Sequence, residues 1–202
     1  IADYSIESLP LGGGIEVSVA QQTNAYQMIS NNGLFQKQYI VDKITASDGT
    51  VVYQHENKPV RIFSAPTATI LQDLLRGPIS SGATTTFKSR LAAINPSLAN
   101  ADWIGKTGTT ENYTDVWLVL ATPKATLGGW AGHDDNTSLA PLTGYNNNSN
   151  YLAYLANAIN QADPNVLGGG QRFHLDSGVI KANVLKSTGL QPCLLYTSPS
   201  PR

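Results

Sequence analysis

The residues with the clearest chemical use in this sequence are four in a row, Lys106, Thr107, Gly108 and Thr109. An ammonium beside two hydroxyls suits an anionic, peptide-like ligand: the cation supplies positive potential and the hydroxyls donate hydrogen bonds to a carboxylate. The glycine removes a Cβ, so another backbone can lie close. On a β-strand, alternation sends Lys106 and Gly108 to one face and Thr107 and Thr109 to the other, before twist or a bulge modifies this. A peptide could also pair with such a strand by adding to its edge. Alone, Lys-Thr-Gly is weak, because average composition yields it by chance in on the order of a few per cent of chains this long.

A strand of this kind needs neighbours, and the flanking pattern supplies them. Residues 103–109, 114–121 and 126–131 read as three extended stretches with short polar connections, which predicts an antiparallel meander. Upstream, residues 1–15 are loop-like. Ser18 then caps a predicted helix to about Asn31, with Val19, Tyr26 and Ile29 near one face and Gly33 as its stop. Residues 39–45 alternate as a strand does; Ser47-Asp-Gly-Thr50 is a turn signal, and 51–53 completes a hairpin. Ser64 and Pro66 open a second helix, whose Ile70, Leu71, Leu74 and Leu75 recur at helical spacing as far as Gly77-Pro78. Residues 81–100 read as irregular around a short helix at 87–93. Downstream, Asn146–Asn150 reads as a solvated loop before a helix over 151–161, with Leu152, Leu155, Ala156 and Ile159 along one side. Gly168–Gly170 marks a loop, and 179–184 reads as a last strand. Without repeats or a convincing linker, the pattern predicts one α+β unit.

Composition narrows the function classes. At 202 residues, 41% apolar and 13% charged, the chain is long enough for one domain with a core or for a large piece of a bigger one. A net charge of -1 gives no basic stripe for a nucleic acid. No apolar run reaches the length of a membrane span, and no secretory leader opens the sequence. It starts at Ile1 without an initiator Met and reads as cut. Residues 193–202 lack periodicity and match the translation of a transposon-type sequencing adapter, so they read as a non-native tail. That tail holds Cys193, the single cysteine. Without it, disulfides and cysteine catalysis drop out, which suits an oxidising, extracytoplasmic setting.

Other chemistry-bearing groups read more plainly. His133-Asp134-Asp135 are adjacent, so their side chains diverge and rarely converge on one metal; His55 and His174 are far away in sequence. Gly12–Gly14 and Gly168–Gly170 lack the Gly-Lys-Ser/Thr of a phosphate loop. Asp115 and Trp117 read as braces of the hairpin beside the lysine strand, and Trp130 as core. No metal or cofactor is expected.

The context of the lysine strand is far more specific than the strand itself. Gly105-Lys-Thr-Gly-Thr-Thr-Glu-Asn-Tyr-Thr-Asp-Val-Trp117, a strand, Thr122-Pro123, and Gly129-Trp-Ala-Gly-His-Asp-Asp135 together resemble the transpeptidase domain of class A penicillin-binding proteins. Ala20-Gln-Gln-Thr-Asn-Ala-Tyr26 with Ser30-Asn-Asn-Gly33 is similar to the family's Ala-Tyr…Asn-x-Gly helix. Asp48-Gly49 sits where the family has an Asp-Gly hairpin, and Ser81-Gly-Ala-Thr84 where it has a Gly-Thr-Ala turn. Thr188-Gly-Leu-Gln-Pro192 also fits. The resemblance covers residues 1–192 and is nearest in pattern to the 1b-type proteins of streptococci.

It implies an α+β fold of the penicillin-binding protein and serine β-lactamase-like kind, an antiparallel sheet flanked by helices, with its N-terminal part missing. In this family a Ser-x-x-Lys serine attacks the D-Ala-D-Ala end of a peptidoglycan stem peptide, and an amine from a neighbouring stem resolves the acyl-enzyme. Penicillins imitate the dipeptide. Carried over, Lys106 would bias the site electrostatically and assist proton transfer, and Thr107 and Thr109 would bind the terminal carboxylate beside Gly108. The Thr109 N–H would form half of an oxyanion hole. The resemblance also implies an upstream glycosyltransferase domain and a membrane anchor outside these residues, and an extracytoplasmic location. The sequence departs from the family in that two of its three motif groups are absent: it contains no Ser-x-x-Lys, and the Ser-x-Asn motif is missing as well. Thr85-Thr-Phe-Lys88 has that spacing with threonine but lies downstream of the family's nucleophile, and Ser30-Asn31-Asn32 reads as a helix terminus rather than the Ser-x-Asn motif. The fragment alone is therefore expected not to acylate. A β-lactamase or D,D-carboxypeptidase relative is the rival reading, although no Glu-x-x-Leu-Asn pattern precedes the lysine strand. A non-catalytic β-lactam-sensing module of the same fold is another.

Overall fold

A computed structural model describes residues 5–9, 12–80 and 83–191. Ile1–Tyr4, part of the 1–15 loop, Ser81 and Gly82 of the expected turn, and the tail from Pro192 onward with Cys193 lie outside the described residues.

Helix α1 (Val19–Ser30) starts where Ser18 and Gln21 form a reciprocal capping box: the Gln21 N–H donates to Ser18 Oγ, and the Ser18 N–H to Gln21 Oε1. It stops because Asn32 and Gly33 turn left-handed, at φ 53° and 82°. Gly33 has no substitute there, since a Cβ would lie 2.2 Å from the Phe63 carbonyl oxygen. Strand β1 (Leu34–Phe35) pairs with β4 (Val60–Arg61), a contact the sequence pattern did not announce. Between them, β2 (Lys43–Thr45) and β3 (Val51–Gln54) make the expected hairpin around Asp48-Gly49. The first strand is shorter than the alternation over 39–45 predicts. Tyr39 leaves the ladder and stacks on His55, ring centroids 3.6 Å apart.

Helix α2 (Ala65–Ile79) is capped by Ser64, whose Oγ accepts from the Thr67 N–H. It runs one residue beyond the expected Gly77-Pro78 stop. Pro78 cannot donate to the carbonyl of Leu74, a residue 65% exposed, while Ile79 is buried in the core and holds the last turn. Helices α3 (Phe87–Ile94) and α4 (Pro96–Ala99) fill much of the stretch expected to be irregular; Asn95 caps the second by accepting from Leu98 N–H.

Strands β5 (Ile104–Thr109), β6 (Asp115–Ala121) and β7 (Thr126–Gly132) form the predicted meander in that order, with Lys106 opposite Val119 and Trp117 opposite Trp130. Helix α5 (Ser149–Ala162) covers one face: Leu118 and Leu120 share a buried cluster with Leu152, Ala153, Ala156, Phe87, Leu91 and Trp103. Trp103 stands edge-on to Phe87 and donates its indole N–H to the Leu98 carbonyl. The other face carries α1, whose Thr23 lies so near Gly128 that a Cβ there would overlap it. Residues 179–184 do not form the expected last strand. Upstream of them the chain is tied at side chains, Phe173 N–H to Asp102 and Asp176 N–H to Thr69, and Ile180 and Val184 stay exposed without a partner ladder. Among the described residues no helix is long and apolar enough to cross a membrane.

Candidate functional site

Strand β5 changes character along its length. Ile104 and Gly105 are buried, and a Cβ on Gly105 would meet the Val119 carbonyl and approach the Ile79 side chain at the end of α2. From Lys106 onward the strand opens to solvent, with Lys106 and Thr109 exposed and Thr107 and Gly108 half-buried. Because β5 ends the sheet order among the described residues, no strand pairs with its outer side.

The direction of that unpaired edge follows from the ladder. The Thr110 N–H donates to the Asp115 carbonyl across the hairpin. In an antiparallel pair the backbone groups alternate between inward and outward. The N–H and C=O of Thr109, and those of Thr107, therefore face away from β6. Lys106 agrees with this: its Nζ donates to the Thr107 carbonyl at 2.8 Å. The four expected residues thus occupy one open edge, with an ammonium and an outward N–H close together in sequence. Gly108 contributes the gap between them. A Cβ in its place would lie 3.3 Å from Trp117 Cβ.

Behind the edge the hairpin is braced. Asp115 accepts from the Trp130 indole N–H at 2.9 Å and from the Thr114 hydroxyl at 3.1 Å, and its own N–H donates to Thr110 Oγ1. Trp117 lies beside Trp130, ring centroids 6.4 Å apart. Both are partly exposed, so Trp130 is not the core residue expected: it sits on the face carrying Lys106, which α1 covers only in part. The connecting turn is left-handed at Asn112 and Tyr113, φ 60° and 58°, and is held by Ser138 Oγ donating to the Asn112 carbonyl and Leu139 N–H to that of Tyr113.

The Asn-rich run is the largest departure from expectation. It is not a solvated loop: Gly144–Asn148 form a π-helical turn leading directly into α5, and Asn148 is fully buried. Its Nδ2 donates to the carbonyls of Val116 and Gly129, both at 2.9 Å, and the Gly144 N–H reaches Thr109 Oγ1 at 3.5 Å. A polarity reading assigns such a run to water because it cannot see the sheet carbonyls that satisfy it.

Other residues weighed from sequence fall elsewhere. His133, Asp134 and Asp135 lie in an exposed turn, where Asp135 accepts from the Thr137 N–H and hydroxyl. Thr85 is buried, accepting from the Phe87 N–H and bonded to the Ser149 hydroxyl, and Ser30 Oγ donates to the Gln27 carbonyl at the end of α1.

One ion pair anchors the approach to β5. Arg76 of α2 grips Asp102 with two parallel bonds, Nε to Oδ1 at 2.8 Å and an NH2 group to Oδ2 at 2.9 Å. Burial alone would raise the Asp102 carboxyl, but the Arg76 bond and the Phe173 N–H outweigh it and hold the group below its usual range. The same bond raises the Arg76 guanidinium. Two surface grooves, one along α2 and one between α1 and residues 36–39, are not lined by β5. The Lys106–Thr109 stretch therefore lies outside both of these grooves.

The profile of a family described as "Penicillin binding protein transpeptidase domain" matches residues 2–160. Penicillin-binding protein 2a of Streptococcus pneumoniae (strain D39) is 28% identical over 182 residues, 86% of this chain and 24% of that protein. Penicillin-binding protein 4 of Bacillus subtilis is 31% identical over 142 residues, 70% of this chain and 21% of the relative. Among solved structures, penicillin-binding protein 1A from Haemophilus influenzae superposes with a TM-score of 0.71 at 19% identity, over 95% of this chain and 32% of that one. PonA1 from Mycobacterium tuberculosis gives 0.63 at 19% identity, over 92% and 50%. These superpositions establish the fold. The chain spans 15–24% of the length of the curated relatives it matches.

Proposed function

The chain belongs to the penicillin-binding protein transpeptidase family, and on that premise we propose that residues 1–192 are the C-terminal part of a peptidoglycan D,D-transpeptidase domain. In the intact protein this part binds D-Ala-D-Ala stem peptides and penicillins and helps to cross-link the cell wall. The observation that carries the proposal is the unpaired edge of β5, with Lys106, the outward backbone of Thr107 and Thr109, and the Gly108 gap side by side.

The chemistry follows from those groups. A serine hydroxyl attacks the carbonyl of the penultimate D-Ala and expels the terminal D-Ala as its amine. An amine from a second stem then takes the acyl group and releases the serine. Lys106 and the Thr107 and Thr109 hydroxyls hold the terminal carboxylate, and Lys106 assists the proton's passage between serine and leaving amine. The Thr109 N–H faces the developing oxyanion, a preorganised donor worth roughly 3–4 kcal/mol of barrier. The serine itself comes from a Ser-x-x-Lys helix outside these 202 residues, which faces the unpaired edge of β5. An upstream glycosyltransferase domain and a membrane anchor place the domain on the outer side of the cell membrane. Residues 193–202 are a non-native tail.

Labelling with a fluorescent penicillin tests this. The 202-residue chain alone should take up no covalent label, and the intact protein should be acylated and retain the label. Label on the isolated chain, or none on the intact protein, would refute the reading. Rapid turnover of the label would indicate a β-lactamase instead.

A further inference from the structure

Resting on the transpeptidase reading, we infer that Gly144 and Asn148 are positioning residues for Thr109: they set its hydroxyl as a donor toward the ligand carboxylate. A threonine hydroxyl has one hydrogen and two lone pairs. The Gly144 N–H points at Thr109 Oγ1 across 3.5 Å, a long bond that turns a lone pair of that oxygen toward the π-helical turn. The hydroxyl hydrogen is then left to donate outward, the role a carboxylate requires.

The Gly144 N–H is where it is for definite reasons. Thr143 and Asn146 lock the turn in a reciprocal capping box, and Ser149 Oγ donates to the Gly144 carbonyl. Asn148 pins this turn to the sheet through two carbonyls. One belongs to Val116, which stands directly opposite Thr109 in the ladder. The Asn148 amide has its orientation fixed in turn, because its Oδ1 accepts from Asn147 Nδ2. Gly144 must be glycine for the approach: a Cβ would come within 2.2 Å of the Trp117 carbonyl oxygen and 3.1 Å of that of Gly108. Those are backbone atoms, so the turn would have to back away from Thr109.

The test compares acylation of the intact protein by a penicillin carrying its free carboxylate and by the methyl ester of the same penicillin. General damage to the fold slows both ligands alike and leaves their rate ratio unchanged. Thr109→Val should lower the acid-to-ester ratio about tenfold, the scale of a lost bond to a charged group. Asn148→Asp keeps the shape but turns a donor into an acceptor against two carbonyls. It should lower the ratio about fivefold, as should Gly144→Ala. Adding Asn148→Asp to Thr109→Val should cause no further fall. A wild-type ratio in both Asn148→Asp and Gly144→Ala, or an undiminished effect of Asn148→Asp in the Thr109→Val background, would overturn the inference while leaving the transpeptidase reading intact. Failure of the unmutated protein to be acylated by either ligand would instead sink that reading, and the inference with it.

Discussion

The β2–β3 and β5–β6 hairpins are both antiparallel pairs closed by a short polar turn, but they are held in different ways. Every residue of β2 and β3 is exposed, whereas β6 buries Val116 and all four residues from Leu118 to Ala121. The first hairpin depends on turn chemistry: Gly49 takes φ 88°, and Asp48 accepts from the Thr50 N–H. Two strands with no buried face are marginal in isolation. The second is packed by α5 on one face and α1 on the other. Turn residues are enough to pair strands. Holding an edge steady enough to bind a ligand takes packing behind it.

The contrast can be broken by substitution, beginning where the effect should be largest. Trp103→Ala removes a side chain only 2% exposed from the cluster behind β5 and should cost about 3–5 kcal/mol in urea unfolding of this chain. Tyr53→Ala on β3, where the side chain is 43% exposed, should cost less than about 1 kcal/mol. A comparable loss from both would mean that the hairpins are supported alike.

Arg76→Ala leaves Asp102, itself 6% exposed, with the Phe173 N–H but without the guanidinium bonded to it. Full burial would make that costlier, but the Arg76 side chain is 37% exposed, so about 2 kcal/mol is expected. The loss should depend on pH in one direction. The folded Asp102 carboxyl lies below its unfolded value of about 3.9. Its contribution is therefore full above about pH 5 and is lost as pH falls through 4 and below, where the unfolded chain binds the extra proton. Denaturation of both proteins between pH 3 and 7 checks this: their stabilities should converge toward acid. A constant gap would contradict the assignment.

Gly49→Ala should cost about 1 kcal/mol, because alanine resists the left-handed turn. Ligand binding to the β5 edge should not change.

Much of this organisation was legible because it is local. The Ser18 and Ser64 caps, the Asp48-Gly49 turn and the three-strand meander each follow from residues a few positions apart. The lysine strand was found the same way, through the residues flanking it. What escaped depends on distant partners. Asn148 looked solvated because its acceptors lie 32 and 19 residues away, on Val116 and Gly129. Residues 179–184 alternate as a strand does, but alternation does not provide an edge to pair with. Trp130 reads as core by type, yet its indole bonds Asp115 on a face that α1 leaves partly open. The contact between β1 and β4 joins residues too few to show a period.

The most direct measurement is the second-order rate of acylation by penicillin of the intact protein and of its Lys106→Ala variant, with thermal unfolding recorded for each. Lys106 is exposed and, among the described residues, bonds the neighbouring Thr107 carbonyl, so stability should change by less than about 0.5 kcal/mol. The rate should fall on the order of a hundredfold. An unchanged rate in the folded variant would contradict the claim that the β5 edge is where the ligand is held.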